Sequence, residues 1–263
     1  MTLTREIDAD GWSDNRAWTA EADLRPDGFW KVINPVSALV DECQMDIREN
    51  AVHVRAVDPA QVAVVDVERQ CVRQTDATLS AGVLVNGLGE DLPGYFDTDT
   101  YTLTVSHGSG DDTATVASPH GRAETAAYDP ETVRDAPDWP TPDDGWDRSV
   151  TLPAPKARGV LGGIADAAES GVRVSAEDGE LLVEAVDRHG TVDYSWPVAA
   201  DVEAGPYAFY SADYLSDMVG AFWPDGEITI RFGHEQPLEL QNGTLRYTQA
   251  QRMYSEFEGG DDR

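Results

Sequence analysis

The sequence predicts an α+β protein with two domains of similar build joined by an extended connector. An amphipathic helix stripe followed by alternating strands occurs once before and once after residues 129–146. A weak internal echo supports the repeat, since GVRVSAEDG begins 120 residues after AVHVRAVDP. The intervening segment, DPETVRDAPDWPTPDDGW, holds four prolines and shows no periodicity, as expected of a linker. The same order of helices and strands on both sides of one linker favours duplication.

The first half contains one clear helix stripe and several strands. Apolar residues follow the i, i+3, i+4, i+7, i+11 spacing of a helix at Phe29, Val32, Ile33, Val36 and Val40. Alternation of apolar and polar residues, the pattern of a half-buried strand, then occurs at 52–56, 101–105 and, weakly, 113–116, and an apolar run covers 62–67.

The second half repeats this pattern and completes the predicted organisation. Helix stripes cover 160–168 and 215–222, and strand patterns cover 172–174, 181–186 and 228–232. The boundaries that follow are a flexible N-terminal extension over 1–16, an N-terminal domain over 17–134, a connecting loop over 135–149, a C-terminal domain over 150–252 and an acidic tail over 253–263.

The charge balance indicates a salt-rich cytosol. Asp and Glu number 49 against 19 Lys and Arg, giving a net charge of −30, and Lys31 and Lys156 are the only lysines. At molar salt the Debye length is about 3 Å, so the self-repulsion of such a chain is largely screened. An acidic interaction protein from an ordinary cell is the alternative. The start of the chain lacks the basic and apolar regions of a signal peptide, which predicts a cytoplasmic protein.

Motifs that would indicate enzyme chemistry are absent from the sequence. The glycine spacing of GLGEDLPG does not fit a dinucleotide fingerprint, and no phosphate-binding loop, nucleophile elbow or HExxH pair occurs. The histidines show no metal-ligand spacing, and Cys43 and Cys71 are expected to be reduced thiols. The sequence therefore predicts a non-enzymatic protein without cofactor or metal.

Three segments resemble the DNA sliding clamps of the proliferating cell nuclear antigen (PCNA) family, in a divergent form from a salt-loving archaeal cell or its virus. They are PVSALVDECQMDIRENAVHVRAVDPAQVAVVDVE from Pro35, FYSADYLSDMVGAF from Phe209 and, more weakly, YDPETVRDAPDWPTP from Tyr128. The resemblance implies two tandem clamp domains per subunit and a homotrimeric ring, with helices lining a hole around duplex DNA and antiparallel sheets outside. It implies a processivity factor that tethers DNA polymerase, clamp loader, nuclease and ligase through short motifs.

The resemblance also implies three sets of functional residues. A partner-binding pocket would comprise Val57, Gln61, Val62, Val64, Trp139, Pro237, Tyr247 and Ala250. Residues facing DNA would be Arg25, Lys31, Lys156 and Arg158, and edge strands at the subunit interface would carry Gly121, Glu124, Val192 and Tyr194.

The sequence departs from the family at some of these positions. Gln249-Ala250-Gln251 stands where the family usually has Leu-Ala-Pro, at the rim of the pocket. Glu90, Pro93 and Gly220 occupy helix positions that commonly carry lysine or arginine. A clamp-derived monomeric or dimeric adaptor without ring closure is the second interpretation. An uncharacterised enzyme with a duplicated fold is the third, and it lacks a visible group of convergent titratable residues.

Overall fold

The chain divides into two compact units that are described separately. The computed structural model describes residues 5–7, 12, 17–48, 50–72, 77–90, 99–108, 112–187, 191–205 and 207–252. The first unit combines Met1–Pro59 with Val65–Ala136, and the second combines Ala60–Val64 with Pro137–Arg263. Among the described residues, no helix is both long and apolar enough to cross a membrane.

The first unit is built from antiparallel ladders with two helices. Its elements, in chain order, are β1 (Arg5–Ile7), β2 (Trp18–Leu24), α1 (Pro26–Ser37), β3 (Glu42–Arg48), β4 (Ala51–Val57), β5 (Ala63–Gln70, whose first two residues belong to the second unit), β6 (Ala77–Leu84), α2 (Val85–Glu90), β7 (Tyr101–His107), β8 (Thr113–Ser118), β9 (Gly121–Tyr128) and a 3-10 turn at Pro130–Thr132. β3 pairs with β4 and β6, while β2, β7, β8 and β9 form a second antiparallel run. The last two residues of β9 pair with β6 and join the two runs.

The helix α1 illustrates how the sequence pattern becomes structure. Its predicted stripe is buried, with Phe29, Val32, Ile33 and Val36 each at most 2% exposed. The helix begins at Pro26 because proline lacks the N–H that would be unsatisfied in the first turn anyway. It ends at Ser37, so Val40 of the predicted stripe lies beyond the helix but is still buried.

The second unit is built in the same way. Its elements are β10 (Arg148–Pro153), α3 (Ala154–Ala167), β11 (Gly171–Glu177), β12 (Glu180–Val186), β13 (Val192–Ala199), β14 (Ala208–Ser211), α4 (Ala212–Ala221), β15 (Glu227–Phe232), β16 (Leu238–Asn242) and β17 (Leu245–Gln249). One sheet has the order β13-β12-β11-β14, and β10, β15, β16 and β17 form an antiparallel run. The helices α3 and α4 pack against each other.

The two units share one topology. Strands β2 to β9 with α1 and α2 correspond in order to β10 to β17 with α3 and α4. The ladders β3–β4, β3–β6, β2–β7, β7–β8 and β8–β9 recur as β11–β12, β11–β14, β10–β15, β15–β16 and β16–β17. The predicted α+β class with two similar tandem units is confirmed.

Parts of the N-terminal extension are packed on the first unit. β1 pairs in parallel with the start of β6. Trp12 is 8% exposed, its indole Nε1 donates to the carbonyl of Ser80 at 3.0 Å, and its ring lies 5.0 Å from that of Trp18. These contacts differ from the flexible extension that the sequence predicts. The remainder of 1–16 and the acidic tail 253–263 lie outside the described residues.

Candidate functional site

An apolar groove of about 320 Å³ lies at the end of β4 in the first unit. Its floor is made by valines, including the predicted Val57, and its rim is charged. The lining residues are Val40, Asp41, Glu42, Ala56, Val57, Pro59, Val133 and Arg134. An apolar floor with a few charged groups around it can hold one apolar side chain and orient the polar atoms beside it.

The segment after β9 closes this groove. The Asp129 carboxylate accepts a hydrogen bond from the backbone N–H of Glu131 at 2.9 Å and so caps the 3-10 turn. The turn places Val133, which is 7% exposed, in the groove, and the Arg134 side chain donates to the carbonyl of Pro59 at 2.8 Å. Val133 was not predicted, although the Asp-Pro pair before it is a recognisable turn signal.

The other predicted pocket residues belong to the second unit. The N–H of Ala250, directly after β17, donates to the carbonyl of Val62 at 2.7 Å, so this pair is brought together. Gln61 and Ala250 are exposed, while Val62 and Pro237 are half-buried. Gln61 has a φ of 62°, which makes the turn that leads into β5.

Two predicted pocket residues are core residues instead. Tyr247 is 0% exposed, and its ring meets that of Phe222 edge-to-face at 5.3 Å. Burial raises the pKa of its phenol well above the ordinary value. Val64 is also buried, at 5% exposed. Both side chains therefore pack in the interior of the second unit, and their predicted contact with a partner stays a prediction.

Trp139 fastens the connecting segment to the second unit. Its indole Nε1 donates to Oε2 of the buried Glu239 at 2.7 Å, and the Arg246 guanidinium lies 4.4 Å from the ring centroid. Further along, the carboxylate of Asp147 accepts from the N–H of His234 at 2.9 Å. The predicted loop residue therefore contacts the polar face of β16 and β17.

The basic residues predicted to face DNA lie on or beside α1 and α3. Arg25 is exposed before α1, and Lys31 on α1 lies 3.8 Å from Asp27. On α3, the Lys156 ammonium donates to the carbonyl of Ala199 at 3.4 Å and the Arg158 guanidinium to that of Gly220 at 3.3 Å. Each of the two helices therefore carries only a few basic side chains. Contacts of such side chains to phosphate carry no sequence information.

Strands β9 and β13 each have a side that is largely unpaired within the described part of the chain. β9 pairs with β8 along Gly121–Ala126, but its other side is paired only at its last two residues. β13 is the end strand of its sheet and includes the predicted Val192 and Tyr194. Tyr194 is 61% exposed and Trp196 is 49% exposed. Open strand edges with large exposed aromatics are typical of surfaces that pair with another chain.

A charged cluster occupies the solvent side of β3, β4 and β5. The His53 ring lies 3.4 Å from a carboxylate oxygen of Asp46 and 3.2 Å from one of Asp66. Arg48 bridges Asp46 at 3.0 Å and Glu68 at 3.3 Å. Within the described ranges, no group of three or more His, Cys, Asp or Glu is placed to hold a metal ion. The cluster stabilises the sheet and lines an open cavity of about 310 Å³.

The His53 cluster makes stability depend on pH. Hydrogen bonds that the His53 ring donates to the carboxylates of Asp46 and then Asp66 raise its pKa from 6.5 to about 9. A raised pKa in the folded state gives stabilisation that is complete below about pH 6.5 and is lost as pH rises through about 9. The difference in unfolding free energy between wild type and His53→Gln is therefore expected to be largest near pH 6 and to fall as the pH rises through about 9.

Denaturant titrations at fixed salt between about pH 6 and pH 10 measure this difference. His120→Gln is the matched control, because His120 is exposed at the turn between β8 and β9. A difference for His53→Gln that stays constant across the range would contradict the assigned protonation.

Curated relatives of this chain are archaeal clamps. No protein-family model matches the chain. The DNA polymerase sliding clamp of Haloarcula marismortui is 29% identical over 260 residues, covering 88% of this chain and 97% of the relative. That of Natronomonas pharaonis is 28% identical over 264 residues, covering 90% and 99%.

Solved clamp structures share the fold. The structure described as the C-terminal region of FEN-1 bound to A. fulgidus PCNA matches with a TM-score of 0.71 at 20% identity, over 89% of this chain and 98% of that chain. PCNA from Thermococcus kodakaraensis matches with a TM-score of 0.66 at 16% identity, over 89% and 100%. The tandem units and the shared fold agree with the sequence similarity to these relatives. The chain is a divergent homologue of the archaeal DNA polymerase sliding clamps with a PCNA-like fold.

Proposed function

We propose that the protein is a DNA polymerase sliding clamp that closes into a ring of three copies. The proposal rests on a strand contact in the second unit whose equivalent can form between two copies of the chain. In the second unit the end of β17 is bonded at Val62, the residue before β5. In the repeat, β17 corresponds to β9 and β5 to β13. When the equivalent contact forms between copies, β9 of one copy pairs with β13 of the next. We call this contact the joint between copies.

This head-to-tail joint produces a closed assembly. A heterologous interface generates a ring when its rotation closes. Three copies is the number that the resemblance implies, and it gives six similar units around the hole. Gly121 and Glu124 would lie on one side of each joint and Val192 and Tyr194 on the other.

The ring would hold duplex DNA by enclosing it. The helix faces offer a few basic groups, Arg25, Lys31, Lys156 and Arg158, whose phosphate contacts are blind to sequence and weakened by salt. A chain of net charge −30 binds DNA poorly by electrostatics alone. Enclosure removes the need for such affinity and allows sliding at high salt.

Partner proteins would be tethered through the valine groove of the first unit. The groove suits a short apolar anchor of a polymerase, clamp loader, nuclease or ligase. A FEN-1 segment bound to A. fulgidus PCNA supports this class of partner. Tethering makes the return of a polymerase to DNA an intramolecular event, so the protein needs no catalytic group or cofactor and acts on DNA in the cytoplasm.

The mass of the assembly in molar KCl tests the ring. We expect a species of about three times 28.6 kDa by sedimentation. After long incubation with DNA at molar KCl, it should remain on a closed circle and be released when the circle is cut. A mass of one or two chains, or equal retention on linear DNA, supports the adaptor interpretation instead.

A further inference from the structure

The Trp139 indole contacts two side chains of the second unit, Glu239 and Arg246. Together with the neighbouring Arg231 and Gln241 we call them the Trp139 seat. They lie on one face of three adjacent strands, since Arg231 is paired with Glu239 and Gln241 with Arg246. Nε1 of Trp139 donates to Glu239 Oε2 at 2.7 Å, and the Arg246 guanidinium stands 4.4 Å from the ring centroid. The seat therefore contacts both the N–H edge and the face of the indole.

The chemistry of the seat is specific for an aromatic ring that carries a hydrogen-bond donor. Glu239 is only 3% exposed, and a carboxylate so buried is costly unless both oxygens are satisfied. Arg231 donates to Oε1 of Glu239 and, at 2.8 Å, to Gln241. Oε2 is left for the indole N–H. A guanidinium over the ring face favours tryptophan most among the aromatic residues.

The occupant of the seat belongs to an irregular segment. No helix or strand occurs between residues 133 and 147, and the Trp139 side chain is half-buried rather than part of the core. Replacing Trp139 changes no residue of the strands beneath it. The seat and its occupant are therefore separable parts of the unit.

We propose that the Trp139 seat is an aromatic-binding site, occupied by Trp139 of the same chain and able to take a tryptophan side chain of a partner when the connecting segment lifts. That the displacing partner is a clamp-bound replication protein rests on the proposed function, whereas the seat itself does not. Trp139 acts at a high effective concentration because it is tethered. A free indole competes poorly with it, and a tryptophan of a partner already anchored nearby competes well.

Restoring an indole to a vacated seat tests the proposal. We expect 5-fluoroindole, followed by its fluorine NMR signal at molar KCl, to bind Trp139→Ala saturably and at least ~10-fold more tightly than wild type. Adding Glu239→Gln or Arg246→Ala to Trp139→Ala should abolish the gain. Trp139→Phe, which keeps a ring but lacks the N–H, should give intermediate binding. Circular dichroism confirms that each variant is folded.

The binding measurements decide whether the Trp139 seat binds an indole. Binding that is tightest to Trp139→Ala, intermediate for Trp139→Phe and lost with Glu239→Gln or Arg246→Ala supports the seat. Equal binding by wild type and Trp139→Ala, binding insensitive to both second substitutions, or no binding by folded Trp139→Ala overturns it. The mass of wild type is measured separately in molar KCl, so failure of the ring and failure of the seat are distinguished.

Discussion

Trp196→Glu is expected to convert an assembly of about three times 28.6 kDa into single chains of 28.6 kDa. Trp196 is paired with the buried Val183, so its side chain points to the side of β13 on which α3 lies, and its ring is 3.7 Å from where a Cβ on Gly163 would stand. Its 49% exposure in the single chain shows that the monomer fold does not depend on burying it. A neighbouring copy paired along β13 would cover this aromatic, and a carboxylate there would lose hydration.

The expected magnitude follows from the behaviour of central aromatic residues in interfaces. Truncating such a residue costs about 2 kcal/mol or more, which is roughly 30-fold in affinity, and a ring of three loses this at every joint. Sedimentation across a concentration series in molar KCl measures the effect.

Tyr207→Glu is the matched control for Trp196→Glu. Tyr207 is 51% exposed and lies just before β14, the opposite end strand of the same sheet. The control makes the same change of aromatic to carboxylate away from β13, so it should keep the wild-type mass. An undiminished mass for Trp196→Glu would remove β13 from the interface and with it the ring.

The fold was predictable because its signals are local and repeated. Helix α1 followed from the spacing of Phe29 to Val36, and the duplication followed from the order of stripes around one proline-rich linker. The resemblance to the family placed the interface segments where the structure has β9 and β13, and their role at an interface stays a proposal. Periodicity reports which face of an element is buried, and that is sufficient to define the units.

The candidate site was less predictable because it depends on contacts between distant segments. Glu239 lies between Leu238 and Leu240, and nothing in that pattern shows that a tryptophan 100 residues away covers it. The linker has no periodicity, so the burial of Val133 followed only from the capped turn before it. Loop contacts of this kind are set by tertiary packing rather than by local pattern.

The burial of Tyr247 is visible in the sequence pattern. In β17, Leu245 and Tyr247 alternate with Arg246, which already predicts that Tyr247 shares the buried face of Leu245. Both are at most 1% exposed. The resemblance to the family assigned Tyr247 to the partner-binding pocket, and that role stays a prediction, whereas the alternation in this sequence accounts for its burial.

Tyr247→Ala is expected to lower the free energy of unfolding by about 3–5 kcal/mol, as removal of a buried aromatic ring generally does. The ring is fully buried and meets Phe222 at 5.3 Å, so its loss leaves a cavity between β17 and the end of α4. Denaturant titration near pH 7 measures the change. Burial raises the pKa of Tyr247, so the phenol is protonated in both the folded and unfolded states at that pH.

Tyr247→Phe separates packing from partner contact. It keeps the ring against Phe222 and removes only the hydroxyl, so we expect a loss of about 1 kcal/mol and unchanged binding of a clamp-interacting peptide. Weakened peptide binding by a Tyr247→Ala protein that unfolds like wild type would show that the side chain reaches the partner. Because a ring at 0% exposure has no surface to offer, lost stability rather than lost affinity is the expected primary effect.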